Sequence, residues 1–150
     1  MIDKGRIPKE LLAILEENIK GRIDDIIFPP PVFDAMKGEV ISYDAENKVL
    51  VNRFPILNEH LNPYGGMQGG IVSAAVDNTI GPLSMLVSPP NFTRYMEMKY
   101  AKVVTPDLGY IYVTARFIEK KKRQLFFEAT VEDKDGNKLA SAKSTHWVID

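Results

Sequence analysis

The sequence predicts an α+β fold in which one long helix is wrapped by an antiparallel sheet of five to six strands, with an extra helix at the N-terminus. Three observations predict it. Segments before and after the middle of the chain alternate apolar and polar residues, which is the period of half-buried strands. The middle segment is apolar around its whole circumference, as a buried helix is. The connections between the predicted strands are short, which favours antiparallel neighbours.

The first 37 residues are predicted to form a separate arm. Residues 8–20 read as a helix, because Pro8 suits the first helical position and apolar residues recur on one face. The prolines at 29–31 then predict a stiff extended connector. We therefore divide the chain into a helical arm with a proline-rich connector, residues 1–37, and a main domain, residues 38–150. The arm either covers one face of the core or closes one end of a ligand pocket.

Six strands are predicted in the main domain. Two precede the central helix and four follow it, and the last two are joined by a tight turn at Asp135-Gly136. Their predicted bounds are 39–44, 48–57, 95–103, 109–119, 124–133 and 138–148.

The central helix is predicted over residues 67–87. Gly81-Pro82 should kink it or end it, because proline lacks the N–H that the helix ladder needs and its ring clashes with the preceding turn. Asp77 is its one ionisable residue. A lone carboxylate in a buried element is costly unless it is paired or in contact with water. Asp77 therefore either meets a structural partner or takes part in a reaction.

Small residues surround Asp77 and a glycine-rich segment precedes it. Gly70, Ala74, Asp77 and Gly81 are spaced by four, three and four residues, so they share a helix face onto which a ligand or another backbone can pack. Residues 62–70 read Asn-Pro-Tyr-Gly-Gly-Met-Gln-Gly-Gly. N–H groups at a helix start, approached past glycines, can stabilise an oxyanion. Taken alone, the same residues indicate only a tight loop.

The motif Asn62-x-x-Gly65-x-x-Gln68-Gly69-Gly70, with Asp77 seven residues further on, resembles the signature of hotdog-fold thioesterases of the PaaI-like and acyl-CoA thioesterase family. In that family the usual string is Asn-x-x-Gly-x-x-His-Gly-Gly, with the acid at the same offset on the central helix. The resemblance covers residues 38–148. It implies a hotdog fold and hydrolysis of an acyl-CoA thioester to the free acid and CoA, with no cofactor.

The resemblance also implies roles for individual residues. Asp77 would be the nucleophile or the general base that activates water, and the N–H of Gly69 would bind the thioester oxygen. Asn62 would orient the water or the carboxylate. Thr93 falls where similar enzymes carry a serine that helps to hold the water. The residues expected to contact substrate are Gly70, His60, Met67 and Gly65.

Gln68 departs from the family pattern, since it stands where the family has histidine. An amide can donate a hydrogen bond to a carbonyl but cannot titrate. The departure weakens a histidine-dependent mechanism and counts against the dehydratase and hydratase branches of the fold. It also keeps open a non-catalytic hotdog module that binds acyl-CoA. Of the two histidines, His60 is expected to be a loop or gate residue, and His146 to be structural.

The spacing of Gly69 and Asp77 predicts an oligomer. Eight residues of helix separate them, or roughly 12 Å along the axis, so one carbonyl cannot contact both. Either one of them is not catalytic, or the site pairs Gly69 of one subunit with Asp77 of another. We expect a homodimer, or a dimer of dimers, with sites between subunits.

Composition excludes several other chemistries. The net charge is −1 and cysteine is absent, which argues against nucleic-acid binding, thiolate catalysis and cysteine-bound zinc. Two isolated histidines predict no metal site. The N-terminus leads into no apolar signal segment, and no stretch approaches the roughly 20 apolar residues of a membrane span. We expect a soluble cytoplasmic protein that binds acyl-CoA and neither nucleic acid nor a membrane.

Overall fold

The predicted sheet is present and has six antiparallel strands. The computed structural model describes residues 4–19 and 21–149. The strands are β1 (Glu39–Asp44), β2 (Val49–Pro55), β3 (Asn91–Tyr100), β4 (Tyr110–Lys121), β5 (Gln124–Glu132) and β6 (Lys138–Val148). Their order in the sheet is β1-β2-β4-β5-β6-β3, and every neighbouring pair is antiparallel. The strand β3 therefore forms one edge of the sheet.

The described residues also form three α-helices: α1 (Lys9–Ile19), α2 (Pro31–Ala35) and α3 (Gly69–Val87). Helix α3 packs across the sheet, and its apolar side chains meet the inward side chains of the strands. Burial alternates along β2 and β4 as the sequence period predicts, because every second side chain points at α3. The fully buried side chains of this core include Val76, Ile80, Leu83, Phe54, Ile111, Val113 and Leu125.

Pro82 lies inside α3, so the expectation that the helix could end at Gly81-Pro82 is wrong. A proline at 82 leaves the carbonyl oxygen of Asn78 without its usual helical donor. The side chain of Asn52 replaces that donor, since its Nδ2 lies 3.2 Å from the oxygen of Asn78. Asn52 is fully buried on β2, and its Nδ2 also lies 3.3 Å from Oγ1 of Thr79. A side chain from the sheet thus lets the helix continue to Val87.

Helix α3 is buried on one side only within a single chain. Gly70 and Asp77 are exposed, and Ala74 and Gly81 are half-buried. The prediction that the helix is buried all round is wrong for the single chain, because the sheet covers just one of its faces. With 19 residues, α3 is long and apolar enough to span a membrane by length and composition, although the sequence predicted no such stretch. Half of this apolar stretch is buried in the fold.

The N-terminal arm packs on the C-terminal half of α3. Leu15 and Ile19 of α1 join Leu86 in a second apolar cluster, and Nδ2 of Asn18 donates to the carbonyl oxygen of Met85 at 2.9 Å. The predicted last residue of the first helix, Lys20, lies outside the described residues. The division at residue 37 stays a prediction.

The proline-rich connector is shorter than expected. The helix α2 begins at the connector's third proline, Pro31. Proline is tolerated in the first turn of a helix, because the N–H that it lacks would have no helical acceptor there. The ring of Phe33 in α2 then packs edge-on against Phe54 at 5.6 Å. The segment after the connector is thereby anchored to the main core.

Substituting Gly38 with alanine is expected to destabilise the fold. A Cβ there would lie 2.6 Å from a ring carbon of Phe33 and 2.8 Å from one of Phe54. Overpacking of this kind costs about 1–3 kcal/mol. Thermal unfolding should therefore show a lower midpoint for Gly38→Ala. The control Val32→Ala, on the exposed side of α2, should leave the midpoint close to that of the wild type. Equal midpoints for all three proteins would contradict this packing.

Candidate functional site

The loop that leads into α3 is organised by Asn62. Its Oδ1 accepts the backbone N–H of Tyr64 at 2.9 Å and that of Gly66 at 3.2 Å, and its own N–H donates to the oxygen of Gly66 at 2.7 Å. Gly65 completes the turn at φ +80°. Within the described residues Nδ2 of Asn62 makes no hydrogen bond. Asn62 thus builds the loop with its oxygen and keeps two donors uncommitted.

The start of α3 presents two unpaired backbone donors. Gln68 is held by its own N–H, which donates to the oxygen of His60 at 2.8 Å, and its carbonyl accepts the N–H groups of Ile71 and Val72. Gly69 and Gly70 lie between these anchors. Their N–H groups are the first two of the helix and have no acceptor among residues 4–19 and 21–149. The positive end of the helix dipole lies at these two N–H groups.

Tyr100, at the end of β3, holds this first turn in place. Its hydroxyl donates to the carbonyl oxygen of Gly69 at 3.0 Å and is hydrogen-bonded to Oγ of Ser73. The ring lies against Gly69, where a Cβ would be 3.5 Å from Cε1 of the tyrosine. Sequence reasoning missed Tyr100, because its distance from Gly69 along the chain carries no local signal.

These elements enclose a groove of about 310 Å³, here called the donor groove, whose lining includes Asn62, Met67, Gly69, Val72, Tyr100 and Val104. Met67 is itself buried, and Gln68 is exposed at the helix start with no side-chain cap bond. His60 is half-buried, and its buried Nδ1 has no partner in the described part of the chain.

The carboxylate lies elsewhere, two turns along α3. Oγ1 of Thr93 donates to Oδ1 of Asp77 at 2.9 Å. Thr93 faces His146 across the β3–β6 pair, and Oγ1 of Thr93 lies 3.3 Å from Nε2 of that ring. Nδ1 of His146 lies 2.8 Å from Oδ1 of Asn91. These four residues, Asp77, Thr93, His146 and Asn91, form a connected group that we call the carboxylate relay.

The two members of the relay that carry ionisable groups differ in environment. Asp77 is exposed, whereas His146 is only 2% exposed and packs against the ring of Phe127 at 5.0 Å. Burial lowers the pKa of His146 below its ordinary value, and the negative charge of Asp77 opposes that effect to a smaller extent. The ring is therefore neutral at neutral pH. Sequence reasoning had assigned His146 a structural role and missed its contact with Thr93.

Stability is expected to fall in mild acid because of His146. In the unfolded chain its pKa is about 6.5, and in the folded protein it is lower, so the unfolded state binds the proton first. The contribution of the neutral ring is complete above about pH 6.5 and is lost as the pH falls towards the folded-state pKa. Thermal unfolding between about pH 8 and pH 5 should show a shallower pH dependence for His146→Gln than for wild type. Parallel curves would contradict this.

The donor groove and the carboxylate relay each contain part of the predicted site. The other predicted residues lie in the segment that leads into α3 and in its first turn, outside the lining of the groove: His60, Gly65, Gln68 and Gly70. The groove unites Asn62, Met67 and Gly69, and the relay unites Asp77 and Thr93. Gly69 and Asp77 are separated by roughly 12 Å of helix, so a single chain does not bring the two groups onto one carbonyl. Within the described residues no three His, Asp or Glu side chains are grouped closely enough to hold a metal ion.

No protein-family model and no curated protein matches the chain. Solved structures do. The PaaI protein of the phenylacetic acid degradation operon of Escherichia coli is similar with a TM-score of 0.77 at 13% identity, covering 93% of this chain and 96% of that one. A protein of Streptococcus mutans bound to acetyl-CoA has a TM-score of 0.69 at 18% identity, with 83% and 92% covered.

A mutant of a thioesterase from Staphylococcus aureus has a TM-score of 0.72 at 12% identity, covering 79% of this chain and 98% of that one. At these identities the likeness concerns the fold. This chain has one long helix and a six-stranded antiparallel sheet. It matches each of these neighbours over nearly the whole length of the neighbour. The chain therefore has the hotdog fold that these neighbours share, as the motif around Gln68 had indicated.

Proposed function

We propose that this protein hydrolyses the thioester of an acyl-CoA. The observation that carries the proposal is the exposed carboxylate of Asp77, held at 2.9 Å by the Thr93 hydroxyl on a helix face otherwise lined by small residues. A carboxylate that is fixed in direction and open to water is suited to act as a general base or a nucleophile. The fold neighbours support the substrate class, since one is named a thioesterase and another was solved with acetyl-CoA.

In the general-base form of the reaction, Asp77 takes a proton from a water molecule whose oxygen adds to the thioester carbon. The resulting oxyanion accepts hydrogen bonds from the N–H of Gly69 and from the side chain of Gln68. The C–S bond then breaks, and the departing sulfur of CoA takes the proton from Asp77. In the nucleophilic form, a carboxylate oxygen of Asp77 adds to the thioester carbon, the C–S bond breaks and CoA leaves as its thiolate. Water then hydrolyses the resulting anhydride, which returns the Asp77 carboxylate and the free acid. After a single turnover in ¹⁸O-labelled water, label in Asp77 identifies the nucleophilic form with water adding to the Asp77 carbonyl of the anhydride, because the general-base form places the label only in the acid product.

The active unit is a homodimer, or a dimer of dimers, in which Gly69 of one subunit meets Asp77 of another. Two features support a second copy. The face of α3 with Gly70, Ala74, Asp77 and Gly81 is uncovered and has room for a second backbone. The edge of β3 has no neighbouring strand among the described residues, and it exposes Phe92, Tyr95 and Tyr100. A long edge strand of this kind is suited to pairing with another chain.

The test is the release of free CoA thiol from short, long and aromatic acyl-CoAs. We expect turnover with at least one of these classes. If every substrate binds and none is turned over, the second candidate function is correct: a hotdog module that holds acyl-CoA. The observation that favours it is Gln68, which is exposed at the helix start and replaces the family histidine. The cytoplasmic location stays a prediction.

A further inference from the structure

We propose that His146 is a positioning residue for Asp77 that acts through the hydroxyl of Thr93. The proposal deepens the proposed hydrolysis and rests on it. His146 does not reach the open face of α3, since it is buried behind Thr93. It therefore makes no hydrogen bond to the carboxylate itself, and its effect through Thr93 depends on which groups in the carboxylate relay donate and which accept.

The orientation of Asn91 determines the tautomer of His146. Nδ2 of Asn91 donates to the carbonyl oxygen of Pro89 at 3.0 Å, which leaves Oδ1 turned towards the imidazole. A carboxamide oxygen only accepts, so Nδ1 of His146 must carry a proton. In the neutral ring Nε2 then has no proton and is an acceptor facing Thr93.

Thr93 has one hydroxyl proton and two acceptors for it. Oδ1 of Asp77 is nearer, at 2.9 Å, and Nε2 of His146 is at 3.3 Å. With a neutral ring the two acceptors compete for this proton. With a protonated ring Nε2–H donates to Oγ1 of Thr93, and the hydroxyl proton is committed to Asp77. Protonation of His146 therefore strengthens the bond to the carboxylate and adds a positive charge behind it, and both effects oppose the transfer of a proton from water to Asp77.

In the described part of the chain, few other groups contact the ring of His146. The strand β3 presents Thr93 and Asn91 to it, β5 presents Leu125 and Phe127, and α3 presents Asp77. Asp77 is the one charged group in this set. Because burial lowers the pKa of His146, the neutral form, in which its ring competes with Asp77 for the Thr93 hydroxyl proton, is the working form at neutral pH.

Histidine NMR tests the coupling without any assay of activity. The chain has two histidines, so His60→Gln assigns both ring signals. We expect the ¹⁵N shifts of His146 to report a proton on Nδ1. Asp77→Asn should move its titration to lower pH, because the carboxylate charge is lost. Thr93→Val should also move the titration of His146 to lower pH, and Thr93→Ser should leave it unchanged. An Nε2–H tautomer, or a titration indifferent to Asp77→Asn and Thr93→Val, would overturn the proposal.

The pH profile of kcat tests the consequence for catalysis. The acid limb should contain two ionisations in wild type and in Thr93→Ser, and one in His146→Gln. In Thr93→Val the effect of the His146 ionisation on kcat should be smaller than in wild type, because only the charge of the ring then acts on Asp77. His146→Gln should lower kcat by about tenfold, less than the loss of a general base, with KM unchanged. A merely structural role would lower activity without removing an ionisation, and that result would overturn the proposal. If no acyl-CoA is hydrolysed, the proposed function fails while the NMR experiment still decides the coupling.

Discussion

Replacing Asp77 with asparagine is expected to lower kcat by about 1,000-fold, which is the range for removing a general base. The amide has the same shape and can still accept the hydrogen bond from Thr93. It cannot take a proton from water and cannot attack the thioester carbon. KM should change little, because the carboxylate is proposed to act on the reacting bond and not on the bulk of the substrate. Thiol release at saturating and low acyl-CoA separates the two parameters.

Two controls accompany Asp77→Asn. The thermal unfolding midpoint should match that of wild type, because Asp77 is exposed and its helix is held by the opposite face. The variant Asp107→Asn changes an exposed carboxylate outside both the donor groove and the carboxylate relay, and it should retain wild-type kcat. If Asp77→Asn keeps a kcat within about tenfold of wild type, Asp77 is not the general base.

Replacing Gly69 with proline is expected to lower kcat by about 100-fold or more, as the loss of one oxyanion donor does. Gly69 is the first residue of α3, the position at which proline is best tolerated in a helix. Gln68 before it has φ −55° and ψ 133°, the extended conformation that a following proline requires. The substitution thus removes the N–H with little cost to the fold. The matched control is Gly69→Ala, which keeps the N–H and places its Cβ at an ordinary 3.5 Å from Tyr100.

Mixing the two inactive variants tests the dimer. In a dimer of one Asp77→Asn and one Gly69→Pro subunit, one site carries both substitutions and the other carries neither. Random association of the subunits makes half of the dimers mixed, so about a quarter of wild-type activity should return. Co-expression with two affinity tags yields the mixed species for assay. No recovery in a purified mixed dimer would place both groups in one subunit, contrary to the proposal.

The local sequence determined the elements of the fold, because periodicity and turn chemistry act over a few residues. The alternation of Ile111, Val113 and Ala115 predicted β4, and Gly136, at φ +82°, predicted the turn before β6. The motif from Asn62 to Gly70 indicated the helix start and its free donors. Even so, the prediction started β3 at Tyr95, and the strand begins at Asn91, which places Thr93 inside it.

The tertiary structure alone decided three features of the site. Pro82 remains inside α3 because Asn52, from a strand 30 residues earlier, supplies the missing donor. His146 meets Thr93 because β3 and β6 pair in one particular register. Asp77 is exposed to solvent because the sheet covers only the opposite face of its helix. Each of these depends on contacts between distant segments, which are fixed by the packing of the whole chain and leave no trace in local residue patterns.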